Sequence, residues 1–133
     1  MNDLNNVETP CLILDKSKLY KNCLLLRERC KNLNITLRPH VKTPKSIEIA
    51  RIALDKKSGP ITVSTLNEAE YFASSGFSDI LYAVGIAPNK FSRVSYLQKK
   101  YNCKIRIILD SVEIAKLLSD FSNLNDEKFE VLI

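Results

Sequence analysis

His40 and Lys42 are the two residues whose types and spacing are best suited to chemistry. They sit in Leu37-Arg38-Pro39-His40-Val41-Lys42-Thr43-Pro44-Lys45-Ser46, and His40 is the only histidine in the 133 residues. In an extended chain, residues two apart point to the same face, so imidazole and amine can enter one pocket. A lysine at a strand end, just ahead of a helix, sits where α/β folds place reactive groups. A partly desolvated lysine beside a second cationic group loses proton affinity and becomes a nucleophile toward an aldehyde, which is Schiff-base chemistry. The plainer alternative is a set of solvated charges at a strand-to-loop junction.

These residues need elements to hold them, and the pattern alternates strand and helix. Residues 11–14 and 35–37 read as strands on either side of a helical stripe, Leu19, Cys23, Leu26, Cys30 and Leu33, with Asp15 as its N-cap. Thr43 then offers a cap and Pro44 suits the first helical position. Ile47, Ala50 and Leu54 line one helix face before Gly59-Pro60 breaks it. Strand 61–63 leads into Thr65-Leu66-Asn67-Glu68, a capping box for a helix over 69–75 that ends at Gly76. A strand over 80–84, a helix from Pro88 to about 101 and a strand over 104–109 follow. Asp110 and Glu113 offer a second capping box, for a helix over 112–119, and residues 129–133 begin a further strand.

Strands separated by helices of this length form βαβ units with a parallel sheet. The expected fold class is α/β, either doubly wound or a (β/α)8 TIM-type barrel. The chain has three glycines and no G-x-G-x-x-G, which argues against a nucleotide-binding doubly wound start. A whole barrel needs about 250 residues, so the chain supplies the first half of one.

Composition bounds the remaining possibilities. An apolar fraction of 45% is enough for a core. No run approaches the ~18 apolar residues of a membrane span. Met1-Asn2-Asp3-Leu4-Asn5-Asn6 lacks the basic-then-apolar pattern of a secretion signal, so a cytoplasmic protein without a membrane partner is expected. Cys11, Cys23, Cys30 and Cys103 form no C-x-x-C pair. With a single histidine they point to reduced thiols acting as small hydrophobes, and no metal site is assigned. The net charge of +5 is uneven, +6 over residues 1–60 and −1 over 61–133. Such a half can attract nucleic acid, anionic lipid or a phosphorylated cofactor. No aromatic-interleaved basic patch accompanies it, so the charge reads as a solvated helix face and no nucleic-acid partner is expected.

Several blocks resemble one known group. Glu8-Thr9-Pro10-Cys11-Leu12-Ile13-Leu14-Asp15 resembles the T-P-x-L-x-x-D opening of the D-threonine aldolase and D-serine dehydratase group. Arg38-Pro39-His40-Val41-Lys42-Thr43 resembles its R-P-H-x-K-T segment. Thr62-Val63-Ser64-Thr65-Leu66-Asn67-Glu68-Ala69-Glu70, then Asp79-Ile80-Leu81-Tyr82-Ala83, then Ile108-Leu109-Asp110-Ser111 are similar to later blocks, in the same order. Together they span most of residues 8–112. Pro44 stands where many members carry a histidine.

The resemblance implies an alanine racemase N-terminal-type barrel (fold type III) that binds pyridoxal phosphate, present as a partial barrel over residues 16–133. It implies Lys42 as the Schiff-base lysine. His40 would lie near the cofactor, as a proton-transfer group or as a polar group that orients Lys42. Tyr82 would line the pocket, or pack in the core with its hydroxyl toward solvent. Thr65 would touch the cofactor, or only cap its helix. Residues 1–15 would be an N-terminal segment whose strand pairs with a C-terminal β-domain missing from this chain, and a divalent metal would enter only through that domain. The implied activity is a pyridoxal-phosphate-dependent lyase or racemase of a D-amino acid, by aldol cleavage or β-elimination, in a homodimer or with a complementing chain. Two alternatives stay open, a non-catalytic carrier of the cofactor and an inactive fragment that needs a partner chain.

Overall fold

Strand pairing is parallel throughout the computed structural model, which describes residues 4–133. The strands are β1 (Pro60–Val63), β2 (Asp79–Gly85), β3 (Lys104–Ile108) and β4 (Val131–Leu132), hydrogen-bonded in that order. The helices are α1 (Lys16–Asn32), α2 (Ile47–Leu54), α3 (Leu66–Ala73), α4 (Phe91–Tyr101) and α5 (Val112–Asn125). Order in space equals order along the chain, without the reversal that defines a doubly wound sheet. The arrangement is an arc of a (β/α)8-type barrel. One parallel bridge, His40 to Thr62, adds a further position to the arc ahead of β1.

Alternation along each strand sorts residues between two faces. Register aligns Ile61 with Ile80 and Ile105, and Val63 with Tyr82 and Ile107. All six are at most 1% exposed. Leu66, Ala69 and Phe72 of α3, Val94 and Leu97 of α4 and Leu118 of α5 join them in one core. Phe72 meets Phe77 edge to face at 5.4 Å. Full burial of each such aliphatic or aromatic side chain contributes about 1.5–3 kcal/mol. The opposite face carries Thr62, Leu81 and Arg106, aligned by the same register. Near its lower end Arg38 Nη2 donates to both carboxylate oxygens of Asp79, at 2.9 and 3.0 Å, and Asp79 also pairs with Arg106. At the upper end of β2 a Cβ on Gly85 would collide with the Asp110 carboxylate, so only glycine lets that side chain lie against the strand.

The boundaries depart from the sequence reading in ways that backbone bonding explains. Residues 11–14 make no ladder among the described residues, and Leu12, Ile13 and Leu14 are exposed; the pairing expected of them was with a domain outside this chain. A strand exists only through its neighbour's hydrogen bonds. Residues 1–3 of the expected N-terminal segment lie outside the described residues. Residues 35–37 do not pair either; pairing falls instead at the His40 bridge. The α2 cap is Ser46, whose Oγ accepts from the Ile49 amide at 3.3 Å, and not Thr43. Lys45, at φ 42°, closes a turn onto the Val41 carbonyl at 3.0 Å and delays the helix past Pro44. Pro88 opens a 3-10 turn, Pro88–Lys90, that leads into α4. Ser111, and not Asp110, caps α5, which runs on to Asn125. Within the α1 stripe only Cys30 is buried, while Leu26 and Leu33 are exposed. All four cysteines are free; Cys30 and Cys103 pack as small hydrophobes, whereas Cys11 is exposed. Among the described residues no helix is long and apolar enough to cross a membrane.

The two-faced sheet predicts a sharp contrast in urea unfolding. Ile80→Ala, in the fully buried row, lowers the unfolding free energy by about 2–5 kcal/mol. Leu12→Ser, on the unpaired segment, changes it by less than about 0.5 kcal/mol.

Candidate active site

The segment that carries His40 and Lys42 is fastened to the sheet by two backbone bonds. The Val41 amide donates to the Thr62 carbonyl at 2.9 Å, and the Thr62 amide donates to the Pro39 carbonyl at 2.9 Å. Val41 turns its side chain into the core at 2% exposure. His40 pairs in register with Thr62, so it lies on the sheet face opposite the helices, and Lys42 follows it by one alternation.

Hydrogen bonds then define the state of the His40 ring. Its Nδ1 accepts from the Lys42 backbone amide at 3.2 Å, and its Nε2 lies 3.3 Å from Ser64 Oγ. A backbone amide can only donate, so Nδ1 holds the lone pair and the neutral ring carries its proton on Nε2. That N–H donates to Ser64 Oγ. Protonating Nδ1 would set two donors against each other. Partial desolvation of the ring and then the Lys42 charge lower its pKa below 6.5, with Glu68 acting in the opposite sense.

Glu68 anchors the other side. It is 8% exposed, and its Oε2 accepts from the Ser64 amide at 2.8 Å while its Oε1 pairs with Lys45 Nζ at 3.3 Å. Burial pushes its carboxyl up, but the Ser64 amide and Lys45 outweigh this and hold it below the usual range. The expected capping box is shifted by one residue on its carboxylate side. Thr65 Oγ1 accepts from the Glu68 amide at 3.0 Å, while the short bond of the Glu68 carboxylate, 2.8 Å, comes from the Ser64 amide, with the Thr65 amide a weaker neighbour.

The expected site residues separate into two groups. His40 and Lys42 come together on one face. Lys42 is exposed, and no carboxylate pairs with its Nζ among the described residues. The expectation that His40 acts on Lys42 as a second cation is corrected, because the imidazole is held neutral by its Nδ1 bond. Thr65 is spent as the α3 N-cap. Tyr82 stands on the helix-covered face, 1% exposed, and its hydroxyl accepts from Lys90 Nζ at 2.8 Å. Register puts Tyr82 with Val63 and Ile107 on the helix-covered face, and Leu81 with Thr62 on the face of His40. The Tyr82 hydroxyl also ends on Lys90 and not in solvent. Thr65 and Tyr82 instead border a cavity of about 370 Å³ with Lys90 and Arg93, which His40 and Lys42 do not line. Ser64 and Glu68 were missed as site residues. The signals were present in the even spacing Thr62, Ser64 and in the capping-box position of Glu68.

Fold and site thus define a parallel βα barrel arc with a lysine and a neutral histidine on its inner face. The chain belongs to the alanine racemase N-terminal domain family, which residues 14–133 match. It is 37% identical over 130 residues to a D-threo-3-hydroxyaspartate dehydratase from Delftia sp. (strain HT23), covering 98% of this chain and 34% of the relative. It is 37% identical over 133 residues to a D-serine dehydratase from Dictyostelium discoideum, covering 96% and 33%. The crystal structure of an alanine racemase-like protein from Idiomarina loihiensis superposes with a TM-score of 0.90 at 42% identity, covering 96% of this chain and 34% of that one. The chain spans about a third of the length of the curated relatives it matches.

The His40 arrangement sets a pH dependence. Unfolded, His40 titrates at its ordinary 6.5; folded, it titrates lower. Between the two values the unfolded state binds more protons, so stability rises with pH across that window. Wild-type urea midpoints therefore fall as pH drops through 6.5, and His40→Asn removes that part of the slope while leaving carboxylate-linked losses at lower pH.

Proposed function

We propose that this chain supplies the lysine part of the active site of a pyridoxal-phosphate-dependent lyase acting on a D-amino acid that bears a 3-hydroxyl group. The observation that supports the reading most directly is Lys42 itself. Its amine lacks a carboxylate partner among the described residues and lies where the parallel strands end, beside a histidine held as a neutral donor. That donor set fits the aldehyde end of pyridoxal phosphate, since imine formation needs an amine not committed to an ion pair. When bound, the cofactor supplies an electron sink for the bond broken at the substrate's Cα.

The remaining work falls to this chain's own groups. Lys42 would be the residue that holds the aldehyde end of the cofactor, through Nζ. His40 keeps the Lys42 backbone in place through Nδ1 and presents no positive charge of its own. The names of the two relatives at 37% identity, both dehydratases of 3-hydroxy D-amino acids, favour β-elimination over aldol cleavage and over racemisation. The activity, its substrate and any partner subunit belong to this proposal.

The test is chemical trapping. The purified chain is mixed with pyridoxal phosphate and reduced with borohydride, and the modified lysine is mapped by mass spectrometry. Dominant labelling of Lys42 over the other 13 lysines, lost in Lys42→Ala, is the expected result. Labelling scattered over surface lysines at equal rates would overturn the reading.

A further inference from the structure

The His40–Lys42 pair is held by more than its own segment. Four consecutive links, one ion pair and three hydrogen bonds, run from Lys45 through Glu68 of helix α3 to the Lys42 backbone. Lys45 Nζ pairs with Glu68 at 3.3 Å. Glu68 accepts from the Ser64 amide at 2.8 Å. Ser64 Oγ meets His40 Nε2 at 3.3 Å, and His40 Nδ1 accepts from the Lys42 amide at 3.2 Å. Each link has a direction. The Ser64 and Lys42 amides can only donate, and the Glu68 carboxylate can only accept. The one arrangement that satisfies every link puts the imidazole proton on Nε2 and points it at Ser64.

We propose that Ser64, pinned by Glu68, is a positioning residue for the reactive lysine: it holds His40 in the Nε2–H tautomer, and that tautomer fixes the Lys42 backbone. A second consequence follows at Ser64 itself. Having accepted from His40, its hydroxyl keeps its own proton, so of these two side chains it is Ser64 Oγ–H, and not the imidazole, that has a donor left to offer. The charged groups around the ring are consistent with this. Lys42 disfavours an imidazolium, Glu68 favours one, and Lys45 offsets part of the Glu68 charge through their ion pair. The effect on lysine chemistry rests on the reading of Lys42 as the aldehyde-binding amine; the state of His40 rests on hydrogen-bond geometry alone.

His40 is the only histidine, so its ring nitrogens give unambiguous long-range ¹H–¹⁵N NMR signals in the ¹⁵N-labelled chain. The wild-type protein at neutral pH shows a lone-pair-type nitrogen at Nδ1 and a protonated nitrogen at Nε2. In Ser64→Ala the Nε2–H loses its acceptor, and both resonances shift toward the averaged values of a mobile, tautomer-exchanging ring. Ser64→Thr, which keeps a hydroxyl, restores the wild-type pattern. Glu68→Ala shifts the same two resonances in the same direction. The amide fingerprint of Ser64→Ala, unchanged away from the site, separates this outcome from unfolding. Wild-type averaging, or Ser64→Ala rings indistinguishable from wild type, would overturn the proposal. Borohydride trapping by pyridoxal phosphate at Lys42 slows roughly two- to tenfold in Ser64→Ala, the range of one neutral hydrogen bond. Absent wild-type labelling with an intact tautomer shift sinks the lyase reading alone; intact labelling with no tautomer shift sinks the positioning role alone.

Discussion

Two backbone hydrogen bonds between the Pro39–Val41 stretch and Thr62 are the constraint on which the site depends. They form a single bridge, the shortest pairing a parallel ladder can have, and they are reinforced from both sides. Upstream, Arg38 donates through Nη2 to both Asp79 carboxylate oxygens and through Nη1 to the Ile61 and Asp79 carbonyls. Downstream, the Lys45 amide closes onto the Val41 carbonyl and Ser46 caps α2. The Val41 side chain adds apolar burial between them. A lysine whose backbone is held at both ends, with a free terminal amine, combines a fixed position with a reactive group that can still move.

The sheet divides its labour by face. On the helix side the row from Ile61 to Ile107 excludes water and forms the floor against which the helices bury their apolar faces. On the other side the same strands present Thr62, Arg106 and Asp79, and the bridge adds Arg38, His40 and Lys42. Strand alternation makes this partition automatic, because neighbours along a strand cannot share a face. The stability of one side thereby positions the chemistry of the other. Tyr82 illustrates the rule: its ring belongs to the packed face, and its hydroxyl is taken by Lys90.

Electrostatics at the site work through hydrogen-bond direction more than through net charge. Glu68 is buried but doubly satisfied, by the Ser64 amide and by Lys45, so it stays ionised without a strained environment. His40, between two fixed donor–acceptor demands, stays neutral. The result is a polar strip in which each proton has an assigned place, as a group that orients a nucleophile requires.

Much of this was legible in the residues themselves. Alternating apolar patterns gave parallel βα units, the R-P-H-x-K-T segment singled out His40 and Lys42, and Thr65 was readable as a cap, because periodicity and capping are local properties of a few neighbouring side chains. What stayed hidden depended on distant partners. Residues 11–14 read as a strand but bond no neighbour among the described residues, and Tyr82 looks like a strand-end ligand until register assigns its face. Glu68 reads as the second half of a capping box, yet its carboxylate goes one residue further, to Ser64. The protonation site of His40 could not be read at all, since it is decided by an amide two residues on and a hydroxyl 24 residues away. Sequence alone determined which groups are available and which elements carry them; tertiary structure decided which face each group occupies and where its protons sit, because both depend on hydrogen bonds that exist only once separated segments meet.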